Sequence, residues 1–289
     1  MGRVWFYMYY PLMEVKKKML STKYLAAVIV LTFINVLQVV TLRRFSSMVG
    51  YSATPWIFPF MISAGFYSLL YFALYIYFYS DAPFVQTHTM YQMIRCGRIK
   101  WGILQIENII FSSFVFNGVG FLISAAVMFP YISLESGWGK VIYTLARTDA
   151  GRNYNISIFI PYDILRKYTP LQFLCLTLLI LWLAGSFIGL MMFAVSLWLG
   201  QTVALVFSSV LVVLPIIMDD FVSAWRPYMM HLSPLSWTRM TEIGQYRYGI
   251  PLQPTITYIL GTYIILCILC SAAALVKLKN VDLKWSNEE

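Results

Sequence analysis

Charged residues are scarce in this sequence, since Asp, Glu, Lys and Arg make up 11% of its 289 residues, against roughly 25% in an average soluble domain. Hydrophobic residues make up 60% and aromatic residues 17%. The charges gather in a few clusters separated by apolar runs of about 20 residues, the length at which a helix crosses about 30 Å of hydrocarbon. This composition excludes an ordinary soluble domain and predicts a protein embedded in lipid.

Local signatures of catalysis and nucleotide binding are also missing. The sequence contains no G-x-x-x-x-G-K-[ST] phosphate loop, no H-E-x-x-H and no G-x-S-x-G, the patterns typical of nucleotide binding, metalloproteases and serine hydrolases. Among four cysteines, Cys267 and Cys270 form a C-x-x-C inside an apolar run, where packing is favoured over redox or zinc chemistry. We predict no disulfide framework, no catalytic residue, and no metal or cofactor bound by this chain.

Six apolar runs define the predicted architecture. Backbone polar groups cannot stay unpaired in hydrocarbon, so each run should be helical. The ten-residue alternation of a membrane barrel is absent. The sequence therefore predicts an all-α, polytopic membrane bundle in which residues 1–289 form one transmembrane domain. The predicted spans are 24–42, 56–79, 103–129, 171–199, 202–218 and 255–276.

The distribution of Lys and Arg predicts the orientation of the bundle. Segment 1–23 is aromatic and basic, and we expect it to lie along the membrane surface as a retained segment. Loop 80–102 and tail 277–289 are basic and are predicted to be cytosolic, so both termini face the cytosol. Connections 130–170 and 219–254 are then external; they carry nearly as many basic residues, but the rule is weak for long connections.

Loop 80–102 is predicted to contain a short helix. Asp81 and Pro83 form a helix start and Gly97 a stop, so a helix of about 12 residues should begin at Phe84. One of its faces is apolar, and basic residues follow at headgroup level. Such a face either rests on lipid or docks into a groove on a partner, for which Met is well suited. The apolar residues are Met90, Met93 and Ile94, and the basic residues are Arg95, Arg98 and Lys100.

Four tyrosines recur at intervals of four residues in the second run: Tyr67, Tyr71, Tyr75 and Tyr79. At this spacing they share one broad face of a helix. A hydroxyl in hydrocarbon requires a partner. One interpretation assigns Tyr67, Tyr71 and Tyr75 to the lining of a transport path for an amphipathic substrate. The other is helix packing, with Tyr79 in the interfacial aromatic belt.

Other polar and small residues in the runs have two interpretations each. Glu107 faces water or a partner, or else marks the cytosolic interface. Asp219 and Asp220 end the fifth run, where they could serve acid–base chemistry, bind a cation or mark a helix end. Gly185 and Gly189 form a G-x-x-x-G pattern that permits close helix approach within one chain or between two copies.

The two external connections are predicted to contain short elements. Residues 156–160 suggest a strand, and the piece before Pro170 an amphipathic turn at the membrane surface. Connection 219–254 is rich in Trp, Tyr and Met, and we expect short helices half in the outer interface that serve as an external gate. The predicted gate residues are Asp219, Asp220, Pro234 and Trp237.

The order of these parts resembles the membrane subunits of ABC-type exporters with six spans per subunit, the second ABC membrane-domain superfamily. A basic surface segment precedes the first span, a cytosolic helix ending in "IRCGRIKW" joins the second and third, and Gly200 and Gln201 alone separate the fourth and fifth. After the fifth span, "MMHLSPLSW" resembles the Pro-containing external segment of such permeases. The resemblance covers nearly the whole chain as an architecture. Connection 131–170 departs from the compact members of the family, which leaves the substrate class open.

This resemblance implies a transport subunit, not an enzyme. Two copies would pair in the cell membrane, and each would receive a separate ATPase that binds ATP and Mg. The loop helix, with Phe84 and the apolar and basic residues named above, would insert into a cleft of that ATPase. Nucleotide-driven closure would then switch the bundle between inward and outward access. The expected substrate is amphipathic, with a toxic or antimicrobial peptide first and a lipid or drug next; exporters of small cytolytic peptides fit most closely, and no nucleic acid is expected.

Two alternatives remain from the residues themselves. An intramembrane enzyme would need converging ionisable groups, so Glu107, Asp219 and Asp220 would have to meet. A channel or scaffold that works without an ATPase would need no apolar docking face on loop 80–102.

Overall fold

The structure is a computed structural model. It describes residues 16–84, 93–94, 96–219, 225–247 and 249–280. Regular structure in these residues is almost entirely helical. The helices are α1 (Thr22–Val49), α2 (Phe58–Ser63), α3 (Gly65–Phe78), α4 (Arg98–Val127), α5 (Gly139–Arg147), α6 (Ala150–Asn153), α7 (Tyr162–Lys167), α8 (Pro170–Leu199), α9 (Gln201–Asp219), α10 (Arg226–Leu232) and α11 (Ile256–Asn280). Short 3-10 helices cover Pro55–Ile57, Pro234–Thr238 and Met240–Glu242, and a hairpin pairs β1 (Tyr246–Arg247) with β2 (Ile250–Pro251).

Five of the described helices, α1, α4, α8, α9 and α11, are long and apolar enough to cross a membrane, and a bent pair raises this number to six if it forms one span. The predicted all-α membrane bundle is thus confirmed at the level of a multi-pass helical protein. Local signals fix several helix ends. The Ser21 hydroxyl accepts a hydrogen bond from the Tyr24 N–H at the start of α1, and Thr169 and Gln172 form a capping box at the start of α8.

The second predicted span, 56–79, is broken. Segments Pro55–Ser63 and Gly65–Phe78 meet at an angle of 91°. Ala64 between them has extended backbone, with φ −71° and ψ 122°, and Gly65 directly after it has low helix propensity. We call residues 63–65 the elbow.

The helices run back and forth between two ends of the bundle. At one end, Lys23 of α1 pairs with Asp81, and the Gln201 side chain donates to the Ser80 carbonyl over 2.7 Å. We call this the Asp81 end. At the other end, the last described residue of α9, Asp219, lies beside the elbow, and we call this the Asp219 end. The short turn between α8 and α9 places them antiparallel, as the sequence predicts.

Helix α8 lies at the centre of the bundle. It packs against α11, α9 and α4, and 72% of its most apolar window is buried, compared with 17% for α11 and 28% for α9. A helix that is apolar all round is buried in protein or faces lipid. The outer helices α1, α9 and α11 are the least buried of the five, and their apolar surface is available to lipid or to a second copy.

Connection 130–170 folds at the Asp219 end as α5, α6 and α7. The strand predicted at 156–160 is wrong, because these residues have no regular secondary structure and no ladder partner among the described residues. Burial nevertheless alternates along this segment, because Ile156, Ile158 and Ile160 are buried and the residues between them are exposed. The amphipathic piece before Pro170 is confirmed as α7, whose Ile164 and Leu165 are buried between exposed polar residues.

Candidate functional site

Four charged side chains meet at the Asp219 end. Arg239 Nη1 donates to Asp219 Oδ1 over 2.8 Å and to Oδ2 over 2.6 Å. Arg226 Nη2 donates to Asp219 Oδ1 over 2.8 Å and to Glu242 Oε1 over 3.2 Å. We call Asp219, Arg226, Arg239 and Glu242 the charged cluster. Its arrangement ties the end of α9 to the start of α10 and to the 3-10 helix that contains Glu242.

The charged cluster and the elbow enclose a cavity of about 310 Å³. Ser63 and Gly65 line it from the elbow, and Phe159 and Leu252 add apolar surface. Gly65 permits a close approach, because a Cβ there would lie only 3.1 Å from Arg239 Nη2. The Arg239 side chain is 3% exposed, whereas that of Asp219 is 30% exposed, so the arginine is nearly removed from water and its carboxylate partner is only partly so.

The described gate residues, Asp219, Pro234 and Trp237, lie at the Asp219 end, but they contact different parts of the bundle. Asp219 lies in the charged cluster and is the last described residue of α9. Asp220 lies outside the described residues. The Pro234 carbonyl accepts a hydrogen bond from the Tyr263 hydroxyl over 2.7 Å, and the buried Trp237 indole donates to the Met230 carbonyl over 3.0 Å. Pro234 and Trp237 thus pack the connection onto α11 and α10. A gating role for these residues stays a prediction.

Sequence reasoning named Asp219 but missed its partners Arg226, Arg239 and Glu242. Arg226 and Arg239 counted there only as external basic residues. Both arginines lie outside α9, 7 and 20 residues after Asp219, so the helical periodicity of the fifth run does not predict their contacts with Asp219. The signal that could have indicated this cluster is the occurrence of both acidic and basic residues in the aromatic connection 219–254.

The four predicted tyrosines share one face and are buried between α3 and its neighbours. The Tyr67 hydroxyl donates to Asn35 Oδ1 over 3.0 Å, and the Tyr71 hydroxyl donates to Asn117 Oδ1 over 2.8 Å. The remaining two hydroxyls donate to backbone carbonyls of α4: Tyr75 to Ser113 over 3.2 Å and Tyr79 to Ile109 over 3.0 Å. We call this arrangement the tyrosine seam.

Glycines make room for the rings of the tyrosine seam. A Cβ on Gly185 would lie 2.5 Å from Tyr75 Cε1, and one on Gly189 would lie 2.9 Å from Tyr79 Cε2. Of the two interpretations of the G-x-x-x-G pattern, the structure supports helix packing within one chain. The use of Tyr67, Tyr71 and Tyr75 as a substrate path stays a prediction, and it would require α3 and α4 to separate.

The start of loop 80–102 is attached to several helices. Asp81 pairs with Lys23, and the Phe84 ring stacks on Phe193 of α8 with centroids 5.9 Å apart. The Lys18 ammonium lies 4.7, 4.5 and 4.6 Å from the ring centroids of Phe78, Tyr79 and Phe84, within the range of cation–π attraction.

The predicted loop helix is only partly described. Phe84, its predicted first residue, has φ 61° and is not helical; it follows a turn at residues 81–83, in which Asp81 pairs with Lys23. Met93 and Ile94 are helical; Met93 is 6% exposed, whereas Ile94 is 75% exposed. Arg98 and Lys100 lie at the surface in the first turn of α4. Met90 and Arg95 lie outside the described residues.

Glu107 and Asp219, two of the three residues that the enzyme interpretation requires to meet, lie far apart, and the third, Asp220, lies outside the described residues. Glu107 is exposed on α4, nine residues from its start at the Asp81 end, whereas Asp219 lies at the opposite end. Within that part of the chain, no group of three or more His, Cys, Asp or Glu side chains is placed to hold a metal ion.

No protein-family model, no curated protein and no solved structure matches this chain.

Proposed function

We propose that this chain is the membrane-spanning subunit of an ATP-driven, ABC-type exporter that works as two copies with separate ATPase subunits. The observation that carries the proposal is the attachment of loop 80–102 to three spans. Asp81 contacts Lys23 of α1, Phe84 contacts Phe193 of α8, and Ser80 contacts Gln201 of α9. A partner that displaced this loop would act on all three helices at once.

The opposite end of the bundle supports the same proposal. Helices α3 and α9 run from the attached loop to the charged cluster, and the cluster joins Asp219 of α9 to Arg226 and Arg239 of the connection. Exchange between inward and outward access needs a movement at one end that reaches the other. Ion pairs at the Asp219 end, which can break and reform, are suited to an external gate.

The proposed substrate is an amphipathic molecule, with a toxic or antimicrobial peptide ahead of a lipid or drug. Aromatic residues supply both apolar area and polar groups for such a molecule. Binding of ATP and Mg would close the partner ATPases, and the attached loops would transmit this movement to the spans.

The test uses the Lys23–Asp81 pair in the complete complex, reconstituted in liposomes with the ATPase that copurifies from native membranes. Lys23→Asp and Asp81→Lys should each reduce ATP-driven export, and the double variant should recover part of it because the pair is restored with reversed charges. Lys16→Gln, a change of an exposed lysine outside the pair, is the matched control. If no ATPase copurifies, or if the chain alone moves substrate without ATP, a channel or scaffold is the better assignment.

A further inference from the structure

Buried arginine donors remain unused in the charged cluster. Arg239 Nη1 is bonded to Asp219, but Arg239 Nε and Nη2 and Arg226 Nε are buried and have no hydrogen-bond partner among the described residues. A buried donor without an acceptor costs about 1–3 kcal/mol, and more when it belongs to a charged group. Three such donors on two neighbouring side chains indicate that an acceptor belongs at this place.

These donors lie around the cavity at the elbow. Both arginines line it, and Arg239 Nη2 points toward Gly65, the first residue of the 14-residue helix α3. No side chain caps that helix start, so the positive end of its dipole faces the same space. Asp219 and Glu242 balance the charge of the two guanidinium groups but supply no acceptor to the unused nitrogens.

We infer that this cavity binds a phosphate-type oxyanion, carried on a phospholipid headgroup. Guanidinium donors combined with a helix N-terminus form the usual protein site for phosphate. A volume of about 310 Å³ exceeds that of a bare phosphate and leaves room for the rest of a headgroup. The cavity adjoins the last described turn of α9, and only 28% of the most apolar window of that helix is buried within the chain. Phe159, which lines the cavity, is 70% exposed. The inference goes beyond the proposed transport function and does not depend on it.

The experiment measures binding to the full-length protein in detergent by native mass spectrometry and by thermal unfolding. The probes are phosphatidylglycerol, a glycolipid with the same acyl chains but no phosphate, and inorganic phosphate. We expect phosphatidylglycerol to bind and to raise the unfolding temperature, the glycolipid to do neither, and phosphate to compete weakly. Equal binding of the glycolipid would overturn the inference. Phosphate binding as tight as that of the phospholipid would assign the site to free phosphate and reject the lipid.

Variants locate the binding in the cavity. Arg239→Lys removes the unused donors Nε and Nη2. It should weaken phosphatidylglycerol binding at least about tenfold, because the loss of one hydrogen bond to a charged group has about this effect on affinity. Arg226→Lys keeps the charge but lacks Nε, and Gly65→Ala places a methyl group against Arg239 Nη2; both should weaken binding even if Arg239→Lys does not fold. The control is Arg166→Lys on the exposed face of α7. Folded Arg226→Lys and Gly65→Ala proteins that bind as the wild type does would exclude this site.

Discussion

The tyrosine seam and the charged cluster differ in how far their buried donors are hydrogen-bonded within the chain. In the seam every tyrosine hydroxyl has an acceptor within the chain, and glycines bring the helices close around the rings. In the cluster the side chains form ion pairs, and two arginines retain donors beside a cavity for which the described part of the chain supplies no acceptor. The tyrosine hydroxyls are therefore satisfied within the chain, although Asn117 Nδ2 beside Tyr71 is buried without a partner among the described residues. The cluster, in contrast, keeps charged donors next to open space, as the inferred ligand site requires.

This difference follows from the cost of removing each group from water. A neutral hydroxyl needs one hydrogen bond to offset its desolvation, so a fixed neighbour suffices. An ion pair needs good geometry and further hydrogen bonds before its attraction offsets the loss of water. We therefore expect changes in the seam to act mainly on stability, and changes in the cluster to act on stability and on binding.

The largest effect is expected from Gly185→Val in the seam. Its side chain would overlap Tyr75 and Ser113, which lie 2.5 Å from the position of a Cβ, and the resulting overpacking should cost about 3 kcal/mol. Denaturation in detergent with rising SDS measures the loss. Gly118→Val on α4 is the control, because a Cβ there meets nothing within 4 Å. Equal stability of the two variants would mean that the seam is not closely packed.

A smaller loss is expected from Asp219→Asn in the cluster. It leaves the nearly buried Arg239 without its carboxylate; removing one partner of a buried pair costs about 3–5 kcal/mol, and the partial exposure of Asp219 reduces this to roughly 2 kcal/mol. Removing both charges with Asp219→Asn and Arg239→Gln should recover part of the loss. The exposed Asp163→Asn is the control. If the double variant lost as much unfolding free energy as the two single variants together, or more, the pairing would be contradicted.

The smallest loss is expected from Tyr71→Phe. The change removes one buried hydrogen bond, to Asn117, and should cost about 1 kcal/mol, whereas Tyr77→Phe on the exposed side of α3 should cost almost nothing. The substrate-path hypothesis adds that export selectivity changes while assembly is retained. Unchanged selectivity for Tyr71→Phe and Tyr75→Phe would leave the seam with a packing role alone.

The sequence predicted helices best where local chemistry marks their ends. Span 171–199 is observed as Pro170–Leu199, because Pro170 suits the first turn and Gly200 ends it. Span 24–42 is observed as Thr22–Val49, because Arg43 and Arg44 leave the apolar run but do not end the helix. Hydropathy predicts where the apolar run ends, and the helix itself can continue beyond the last apolar residue.

The elbow and the partners in the site could not be predicted in this way. Apolar residues on both sides of Ala64 give one continuous hydropathy signal, which carries no information on helix direction. The four-residue spacing of Tyr71 and Tyr75 correctly placed them on one face. Their acceptors, Asn117 and the Ser113 carbonyl, come from another helix, and only tertiary packing brings that helix close.

The broken second span has a consequence for the surrounding bilayer. Helix α3 is 14 residues long, or about 21 Å, whereas the 30 residues of α4 and of α8 reach about 45 Å. Hydrocarbon that is thicker than the adjacent apolar helix must compress locally, at a modest free-energy cost for each ångström of mismatch. Acyl chains that contact the exposed face of α3, which carries Phe66 and Tyr77, are therefore expected to be compressed, which should favour thin membranes.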